Sequence, residues 1–125
     1  MHVYESAEDY LEAILVITNR RGLVRSIDIA NELGYSKPSV SIAMKKLRES
    51  SYIEMDRDGY IRLLPAGAEI AGHIYERHQT LSDFFIYLGV SREVASADAC
   101  KVEHDLSEES FEAIKKAIRP PKELS

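Results

Sequence analysis

The sequence predicts a mainly α-helical fold with a small β-hairpin wing. It divides into a winged helix-turn-helix domain over residues 1–64 and an all-helical domain over residues 65–125. Two short helical patterns meet at Gly34, and an alternating segment centred on Asp58 and Gly59 follows them, as in a helix-turn-helix with a hairpin wing. Beyond this segment the apolar residues keep only a helical period, which indicates that the second domain is all helical.

The first element is a helix predicted over residues 6–20, with Ser6 as its expected N-cap. Its apolar side is formed by Leu11, Ile14, Leu15 and Thr18. Asp9 and Glu12 fall on the opposite side of the same helix, where a solvated polar face is the simplest interpretation of an acid pair.

The helix-turn-helix comes next. A short helix over residues 26–33 is expected to begin at Ser26 and to end at Gly34, which permits a tight turn. The following helix begins with Ser36 as its cap and Pro38 in its first turn, where the missing N–H costs nothing. Its inward stripe is Val40, Met44 and Leu47, and its outward residues are Lys37, Ser39, Ser41, Lys45 and Lys46.

This second helix has the composition of a DNA-reading helix. Such a helix brings short polar or basic side chains to the major-groove floor from its N-terminal turns, where Lys37, Ser39 and Ser41 lie. Pro38 makes that end rigid and offers an apolar contact to a thymine methyl. Phosphate contacts are expected from Lys45, Lys46 and Arg48, and a backbone or minor-groove contact from Arg57 on the hairpin. A winged helix that binds only protein is the alternative interpretation.

The charge distribution favours a winged helix that binds DNA over one that binds only protein, even though the chain carries a net charge of −5. Residues 20–62 hold nine basic and six acidic residues, whereas both flanks are acidic. The longest apolar stretches are far shorter than the ~20 residues of a membrane span, and the N-terminus lacks a signal-peptide pattern. One cysteine excludes an internal disulfide, so we expect a cytoplasmic protein.

The second domain is predicted to contain three helices. Pro65 opens a long helix over residues 65–88, and Gly89 ends it. A further helix is expected over residues 91–105, and Ser107 caps the last one. A helical unit of this size often completes its core by pairing with a copy of itself, which predicts a homodimer.

The fifth helix presents a metal-ligand pattern. If residues 98–106 are helical, then Cys100, Glu103 and His104 point to one side, opposite an apolar side formed by Ala99, Val102 and Leu106. A thiolate, a carboxylate and an imidazole at this spacing can converge on one ion. The same string also fits a thiol with two polar neighbours, so the pattern alone leaves both interpretations open.

Taken together, these residues resemble the diphtheria toxin repressor and manganese transport regulator family of metal-dependent repressors, over essentially the full length of the chain. The resemblance is carried by "EDYLEAI" (8–14), "SKPSVSIAMKKL" (36–47), "YERHQTLSDFF" (75–85) and "ACKVEHDLS" (99–107). It implies a homodimer that binds double-stranded operator DNA through an N-terminal winged helix. It also implies a helical dimerisation domain and a metal site shared by the two domains.

The resemblance also implies particular residues. The metal ligands implied by position are Asp9, Glu12, His78, Cys100, Glu103 and His104. The DNA-reading positions implied are Ser36, Pro38, Ser39 and Ser41. Taken alone, His78 lies at the edge of the apolar stripe of its helix and fits a satisfied core histidine better than a metal ligand.

The chain departs from both branches of that family. The iron-responsive branch usually has a methionine at the position of Asp9, and the manganese-responsive branch usually has an acid at the position of Cys100. Ser82 and Ser96 stand where the iron branch places ligands of an ancillary site, so that site is not expected here in that form. The chain has 125 residues, and in this short length it resembles the shorter manganese-type members of the family.

The ligand chemistry favours two metals. Asp9 and Glu12 are hard oxygen donors that suit Mn²⁺ or Fe²⁺, whereas the softer Cys100 favours Fe²⁺, Co²⁺ or Zn²⁺. Asp9 and the short chain favour Mn²⁺ as the first prediction and Fe²⁺ as the second, with one or two ions per subunit.

Two other functions fit parts of the sequence. A metal-independent winged-helix regulator would sense oxidants through Cys100, provided that its thiol is exposed. A metalloenzyme would need an open metal position and a substrate pocket, and the chain carries no nucleophile motif or phosphate loop. We therefore expect a non-enzymatic regulator of metal homeostasis, with no small organic ligand.

Overall fold

The computed structural model describes residues 5–118. Over this range the chain forms six α-helices and one hairpin. They are α1 (Glu5–Arg21), α2 (Ser26–Leu33), α3 (Lys37–Glu49), β1 (Ile53–Met55), β2 (Ile61–Leu63), α4 (Pro65–Tyr87), α5 (Arg92–Val102) and α6 (Glu108–Ile118). The predicted fold class, mainly helical with a small hairpin wing, is confirmed.

The chain forms two compact units that divide inside α4, between His73 and Ile74. We call the part up to His73 the N-terminal unit and the part from Ile74 the C-terminal unit. None of the helices formed by residues 5–118 is both long enough and apolar enough to cross a membrane.

The core of the N-terminal unit is built from one apolar stripe on each helix and one residue on each strand. Its fully buried large side chains are Leu11, Ile14, Ile17, Val24, Ile29, Val40, Met44 and Ile53. Each such side chain contributes about 1.5–3 kcal/mol when it is removed from water. Ser6 lies within α1 and is therefore not the cap that the sequence predicted.

Helix α2 begins differently from the prediction. Arg25, not Ser26, is the N-cap, and its backbone N–H donates to Asp28 Oδ2 over 2.9 Å. A carboxylate in the first turn accepts this hydrogen bond and also complements the helix dipole. The predicted end is confirmed: Gly34 adopts a left-handed conformation (φ 73°), and its N–H donates to Ala30 O over 2.8 Å.

Helix α3 begins as predicted. Ser36 is its N-cap, and the Oγ of Ser36 accepts a hydrogen bond from the backbone N–H of Ser39 at 3.3 Å. Pro38 lies in the first turn. The inward stripe of Val40, Met44 and Leu47 is buried, which fixes the opposite face of α3 toward solvent.

The predicted hairpin is also confirmed. β1 and β2 pair antiparallel, with Ile53 opposite Leu63 and Met55 opposite Ile61. The side chain of Asp56 organises the connecting loop, since its Oδ1 accepts from the backbone N–H groups of Asp58 (2.9 Å) and Tyr60 (3.0 Å).

The first turn of α4 lies close against the backbone beside the hairpin. The backbone N–H of Leu64 donates to Tyr52 O over 2.9 Å. A Cβ atom at Gly67 would overlap that same carbonyl oxygen. Gly67 is therefore required where α4 begins, because any side chain would push the helix away from Tyr52.

The core of the C-terminal unit includes Leu81, Ala95, Ala99 and Phe111. Helix α4 ends before Gly89 (φ 103°), as predicted, and Ser107 Oγ caps α6 by accepting from Ser110 N–H at 3.1 Å. Leu88, the last residue of the helix predicted over residues 65–88, lies just beyond α4 and is exposed.

The predicted extension of α5 to residue 105 is wrong, because the helix ends at Val102. Glu103 nevertheless keeps right-handed helical dihedral angles, and its N–H donates to Ala99 O over 3.0 Å. The helical spacing between Cys100 and Glu103 is therefore preserved.

Candidate metal centre and DNA interface

Three potential ligands meet in the C-terminal unit. His78 lies on α4, Cys100 lies on α5, and Glu103 follows the last residue of α5. His78 Nδ1 lies 2.9 Å from Glu103 Oε1 and 3.7 Å from Cys100 Sγ. One ligand atom from each of the three residues lies within 4.8 Å of the other two. We call these three residues the metal cluster.

His104 lies next to the metal cluster. Its Nε2 is 3.7 Å from Glu103 Oε2, and its side chain is only 3% exposed. The two carboxylate oxygens of Glu103 therefore face two different imidazoles: Oε1 faces His78 and Oε2 faces His104. The i, i+3, i+4 pattern of the sequence is thus realised, although His104 lies in the turn beyond α5.

The electrostatics of the metal cluster centre on His78. The pKa of His78 is raised to about 10, chiefly by its hydrogen bond to Cys100 and next by its hydrogen bond to Glu103. Partial burial of the ring lowers this pKa but does not outweigh the two hydrogen bonds. Glu103 is 1% exposed, so its carboxylate is removed from water and needs a compensating positive charge. The imidazolium of His78 supplies that charge at neutral pH.

The donors in the metal cluster fit a divalent transition metal. They comprise an imidazole nitrogen, a sulfur and a carboxylate oxygen, which is a mixed set that such ions accept. The buried Glu103 carboxylate is an acceptor that a cation would satisfy in place of the proton on His78. The residues present therefore fit a metal ion.

Arg77 supports the turn that carries Glu103 and was not predicted from the sequence. The guanidinium is 7% exposed, and its Nη1 donates to the carbonyl oxygens of Glu103 (3.0 Å) and Leu106 (2.5 Å). Its Nη2 donates to Glu108 Oε1 at 3.0 Å, and its guanidinium carbon lies 5.1 Å from the ring centroid of Phe111. A lone arginine on a helix gives no sequence signal for such a role.

Ser96 was noted in the sequence only as a departure from an ancillary-site ligand of the iron branch, and the structure places it beside His78. Its Oγ lies 3.3 Å from His78 Nε2, on the side of the ring away from the metal cluster. Ser96 is one helical turn before Cys100 on α5, so the i, i+4 spacing was the signal that could have found it.

The remaining predicted ligands, Asp9 and Glu12, lie on α1 in the N-terminal unit. Both are partly buried, and the three-residue spacing places them on neighbouring turns of one helix. Their role as ligands stays a prediction from the family resemblance.

The predicted DNA contacts lie at the surface of the N-terminal unit. Lys37, Pro38, Ser39, Ser41, Lys45 and Lys46 are all exposed on α3, and we call them the reading face. Arg57 in the hairpin loop is exposed too. Ser36 is exposed beside them, and its Oγ lies 2.8 Å from Ser39 Oγ, so the cap also orients a hydroxyl of the reading face.

Ile42 is a further residue of α3 that the sequence analysis missed. It is 59% exposed, and it lies three residues after Ser39 and three before Lys45, so it shares their side of the helix. An apolar residue within an otherwise polar stripe was the signal available in the sequence.

Comparison with known protein families shows two matches. The model of the iron dependent repressor N-terminal DNA binding domain matches residues 2–65. The model of the iron dependent repressor metal binding and dimerisation domain matches residues 64–124. Together the two matches cover nearly the whole chain.

Individual relatives agree with these matches. The transcriptional regulator MntR of Salmonella typhimurium is 37% identical over 112 residues, covering 90% of this chain and 71% of the relative. The HTH-type transcriptional regulator MntR of Geobacillus kaustophilus is 32% identical over 109 residues, covering 87% and 77%.

Solved structures are similar as well. The manganese regulator SloR superposes with a TM-score of 0.79 at 26% identity, covering 90% of this chain and 53% of SloR. A manganese-dependent transcriptional repressor in complex with manganese gives a TM-score of 0.80 at 25% identity, covering 89% and 51%. This chain therefore spans about half the length of these two solved structures.

Proposed function

Because this chain belongs to the diphtheria toxin repressor and manganese transport regulator family of metal-dependent transcriptional repressors, we propose that it binds operator DNA as a homodimer when loaded with Mn²⁺. Genes of metal homeostasis are the targets that fit such a regulator. The observation that carries the proposal is the metal cluster, in which three donors of suitable chemistry lie within 4.8 Å of one another. The protein acts in the cytoplasm as a regulator and not as an enzyme.

Mn²⁺ is the preferred ion in this proposal, and Fe²⁺ is the second. Two similar structures are described as a manganese regulator and a manganese-dependent repressor, which favours Mn²⁺. Cys100 is a softer donor than the carboxylates that Mn²⁺ prefers, which favours Fe²⁺. Either ion supplies a positive charge that several donors share when it is bound.

Asp9 and Glu12 enter the proposal as further ligands because the family resemblance implies them and because their oxygens are hard donors. With His104 they bring the set to six residues, which is enough for one or two ions per subunit. Asp9 and Glu12 belong to the DNA-binding domain, whereas the metal cluster belongs to the dimerisation domain. Metal binding and DNA binding then favour each other.

We propose that the homodimer forms through an apolar surface of the C-terminal unit. Tyr87, Leu88 and Val94 are 73%, 61% and 51% exposed, and they lie at the end of α4 and the start of α5. Exposed large apolar side chains close together in the sequence favour an interface over free surface. The match to a dimerisation domain identifies a second copy of the chain as the partner.

The experiment that tests this function measures DNA affinity with and without metal. A duplex is first selected from a random-sequence pool by the full chain with Mn²⁺. Its binding is then titrated by fluorescence anisotropy with Mn²⁺, with Fe²⁺ under anaerobic conditions, and with EDTA. We expect either metal to tighten binding by roughly 5- to 150-fold. Equal affinity in EDTA and in metal would contradict the proposal.

A matched pair of variants connects this response to the metal cluster. Glu103→Gln removes the buried carboxylate charge and should reduce DNA affinity in Mn²⁺ to the value in EDTA. Glu109→Gln makes the same change at an exposed position of the same unit and should respond like the wild type. A full metal response in Glu103→Gln would remove the metal cluster from the mechanism.

One observation favours a second candidate, in which Cys100 senses oxidants. Cys100 is exposed, and its Sγ lies 3.7 Å from His78 Nδ1, so an imidazolium adjoins an accessible thiol. Cys100→Ser distinguishes the two functions. An oxidant sensor would lose all of its response to peroxide and would never respond to metal, whereas a metal sensor would retain part of its response to Mn²⁺.

A further inference from the structure

We propose that Ser96 is a positioning residue for the metal site, whose hydroxyl accepts the Nε2–H of His78 and thereby presents Nδ1 to the metal. The proposal rests on the proposed function, because it concerns the same ion. Ser96 Oγ lies 3.3 Å from His78 Nε2. The other ring nitrogen, Nδ1, lies 2.9 Å from Glu103 Oε1 and 3.7 Å from Cys100 Sγ.

The reasoning starts from imidazole chemistry. A neutral imidazole carries its proton on one nitrogen and its lone pair on the other, and only the lone pair binds a metal. The hydrogen bond made by the protonated nitrogen decides which tautomer is present and how the ring is oriented. Among the described residues, Ser96 faces Nε2, while Glu103 and Cys100 face Nδ1.

The position of Ser96 makes this support rigid. Ser96 is partly buried, and it precedes Cys100 by one turn of α5, directly after the buried Ala95. One helix therefore holds both a ligand and the hydroxyl that orients another ligand. A neutral hydroxyl is a weak ligand for a divalent metal ion, but its oxygen readily accepts a hydrogen bond from an imidazole N–H. Ser96 is therefore better suited to orient His78 than to bind the metal itself.

The test compares Ser96→Thr with Ser96→Val, two variants of nearly equal shape that differ in the hydroxyl. Co²⁺ is titrated into the full chain, and both the affinity and the visible d–d absorption of the bound ion are recorded. Ser96→Thr should remain close to the wild type. Ser96→Val should bind Co²⁺ about 10- to 100-fold more weakly, which is the usual effect of removing a group that orients a ligand. Its absorption bands should also shift.

Several outcomes are distinguishable. If the wild type binds no Co²⁺, both the proposed function and this inference fail. If the wild type binds Co²⁺ but the Thr and Val variants share one affinity and one spectrum, the role of Ser96 alone is overturned. Thermal unfolding of the metal-free variants serves as the control, since a purely structural role would lower the Tm without separating the two Co²⁺ spectra.

A different observation carries a second inference: we infer that Ile42 selects a thymine in the operator through apolar contact with its C5 methyl. Ile42 is 59% exposed on α3, although the inward stripe of this helix is complete without it. A β-branched residue is a modest helix former, so neither the core nor helix propensity explains an isoleucine here.

The charges around Ile42 identify its partner as DNA. Exposed lysines at positions 37, 45 and 46 lie on the same helix, and their charges complement a phosphate backbone. The thymine C5 methyl is the apolar group that base edges present in the major groove. Ile42 lies on the reading face side between Ser39 and Lys45, so it would meet base edges and not phosphates.

The test removes one methyl group from the DNA. In the duplex selected by the wild type, each thymine is replaced in turn by uracil, which lacks only that methyl. At one position per half-site the wild type should lose about threefold to fourfold in affinity, the value of one buried methyl group. Ile42→Ala should bind the thymine and uracil duplexes equally at that position, and Pro38→Ala should still distinguish them.

Two results would overturn this inference. One is that no uracil substitution weakens binding by the wild type, and the other is that Ile42→Ala remains sensitive at every position where the wild type is. If no duplex can be selected at all, the proposed function itself fails. These three results can be distinguished because the duplex is selected before any thymine in it is replaced by uracil.

Discussion

The reading face and the metal cluster are built in opposite ways. Every side chain of the reading face is exposed, and the buried stripe of α3 behind it fixes its direction. In the metal cluster Glu103 is almost fully buried, and His78 already holds Glu103 and Cys100 through hydrogen bonds. In the proposed function, the reading face binds DNA through solvated charges, whereas the metal cluster contains an internal ion pair.

This difference indicates what each partner must displace. In the proposed function, the exposed lysines release counterions condensed on the DNA phosphates, which gives affinity that depends on salt. A metal ion must displace the proton that His78 carries, because the pKa of His78 is raised to about 10. The reading face should therefore respond to ionic strength, and the metal cluster should respond to pH.

The largest expected effect comes from removing the central residue of the metal cluster. His78→Ala deletes the imidazole that contacts both other donors, and it leaves Glu103 without its charged partner. We expect at least a roughly 100-fold loss of Co²⁺ affinity, measured by titration in the full chain. His73→Ala changes an exposed histidine on the same helix and should leave the affinity unchanged. Similar affinities for the two variants would show that the metal cluster is not the site.

Gly67→Ala is expected to destabilise the N-terminal unit, which carries the reading face. Its new Cβ would overlap the carbonyl oxygen of Tyr52 and force the start of α4 to move. Overpacking of this kind costs about 1–3 kcal/mol in the free energy of unfolding. Urea unfolding should show this loss for Gly67→Ala, whereas Gly72→Ala, where an added Cβ meets nothing within 4 Å, should lose no stability. A Gly67→Ala variant as stable as the wild type would contradict the close approach of α4 to Tyr52.

The next largest effect is the pH dependence of metal affinity, which should be a property of the metal cluster and not of the reading face. Between pH 6.5 and about 10, the metal-free protein keeps His78 protonated, so each bound ion releases that proton. The proton of His78 alone makes metal affinity rise about tenfold for each unit of increasing pH, and a proton released by another ligand would steepen this rise. Isothermal titration calorimetry in buffers of different ionisation enthalpy would count the protons released. Release of none would contradict the raised pKa of His78.

The stability of the metal-free protein should change in the opposite direction. A histidine whose folded pKa is raised from 6.5 to about 10 stabilises the fold fully below pH 6.5. That stabilisation is lost as the pH rises through about 10. Urea unfolding in EDTA should record this decrease for the wild type, and His78→Ala should show a smaller one. A stability of the wild type that rises over this pH range would have the wrong sign.

The smallest expected effects belong to single lysines of the reading face. Lys45→Ala and Lys46→Ala should each weaken binding to all duplexes alike, because phosphate contacts carry no sequence information. Each should also reduce the slope of log affinity against log salt by about 1. Anisotropy at several salt concentrations measures both quantities. A loss confined to one base position would instead place that lysine against a base edge.

Much of this architecture follows from local signals in the sequence. The buried stripe of α3, the cap at Ser36 and the turn at Gly34 each depend on a few neighbouring residues, so periodicity and turn chemistry predict them. The predicted cap at Ser26 was wrong for a local reason too. The carboxylate of Asp28 accepts the backbone N–H of Arg25, and Arg25 is the N-cap of α2.

The metal cluster shows where local signals end. Spacing places Cys100 and Glu103 on one side of α5, but periodicity cannot bring His78 of α4 to within 2.9 Å of Glu103. The supporting contacts of Arg77 and Ser96 arise only when α4, α5 and the turn before α6 pack together. The family resemblance supplied His78 in advance, whereas neither periodicity nor resemblance supplied these supporting contacts.

The most direct test of the central claim, that metal and DNA binding are coupled, is a thermodynamic cycle on the full chain. DNA affinity is measured with and without Mn²⁺, and Mn²⁺ affinity is measured with and without the selected duplex. Linkage requires both ratios to be the same factor, which we expect to lie between roughly 5 and 150. If Mn²⁺ binds equally tightly with and without DNA, the two sites are independent and the account is contradicted.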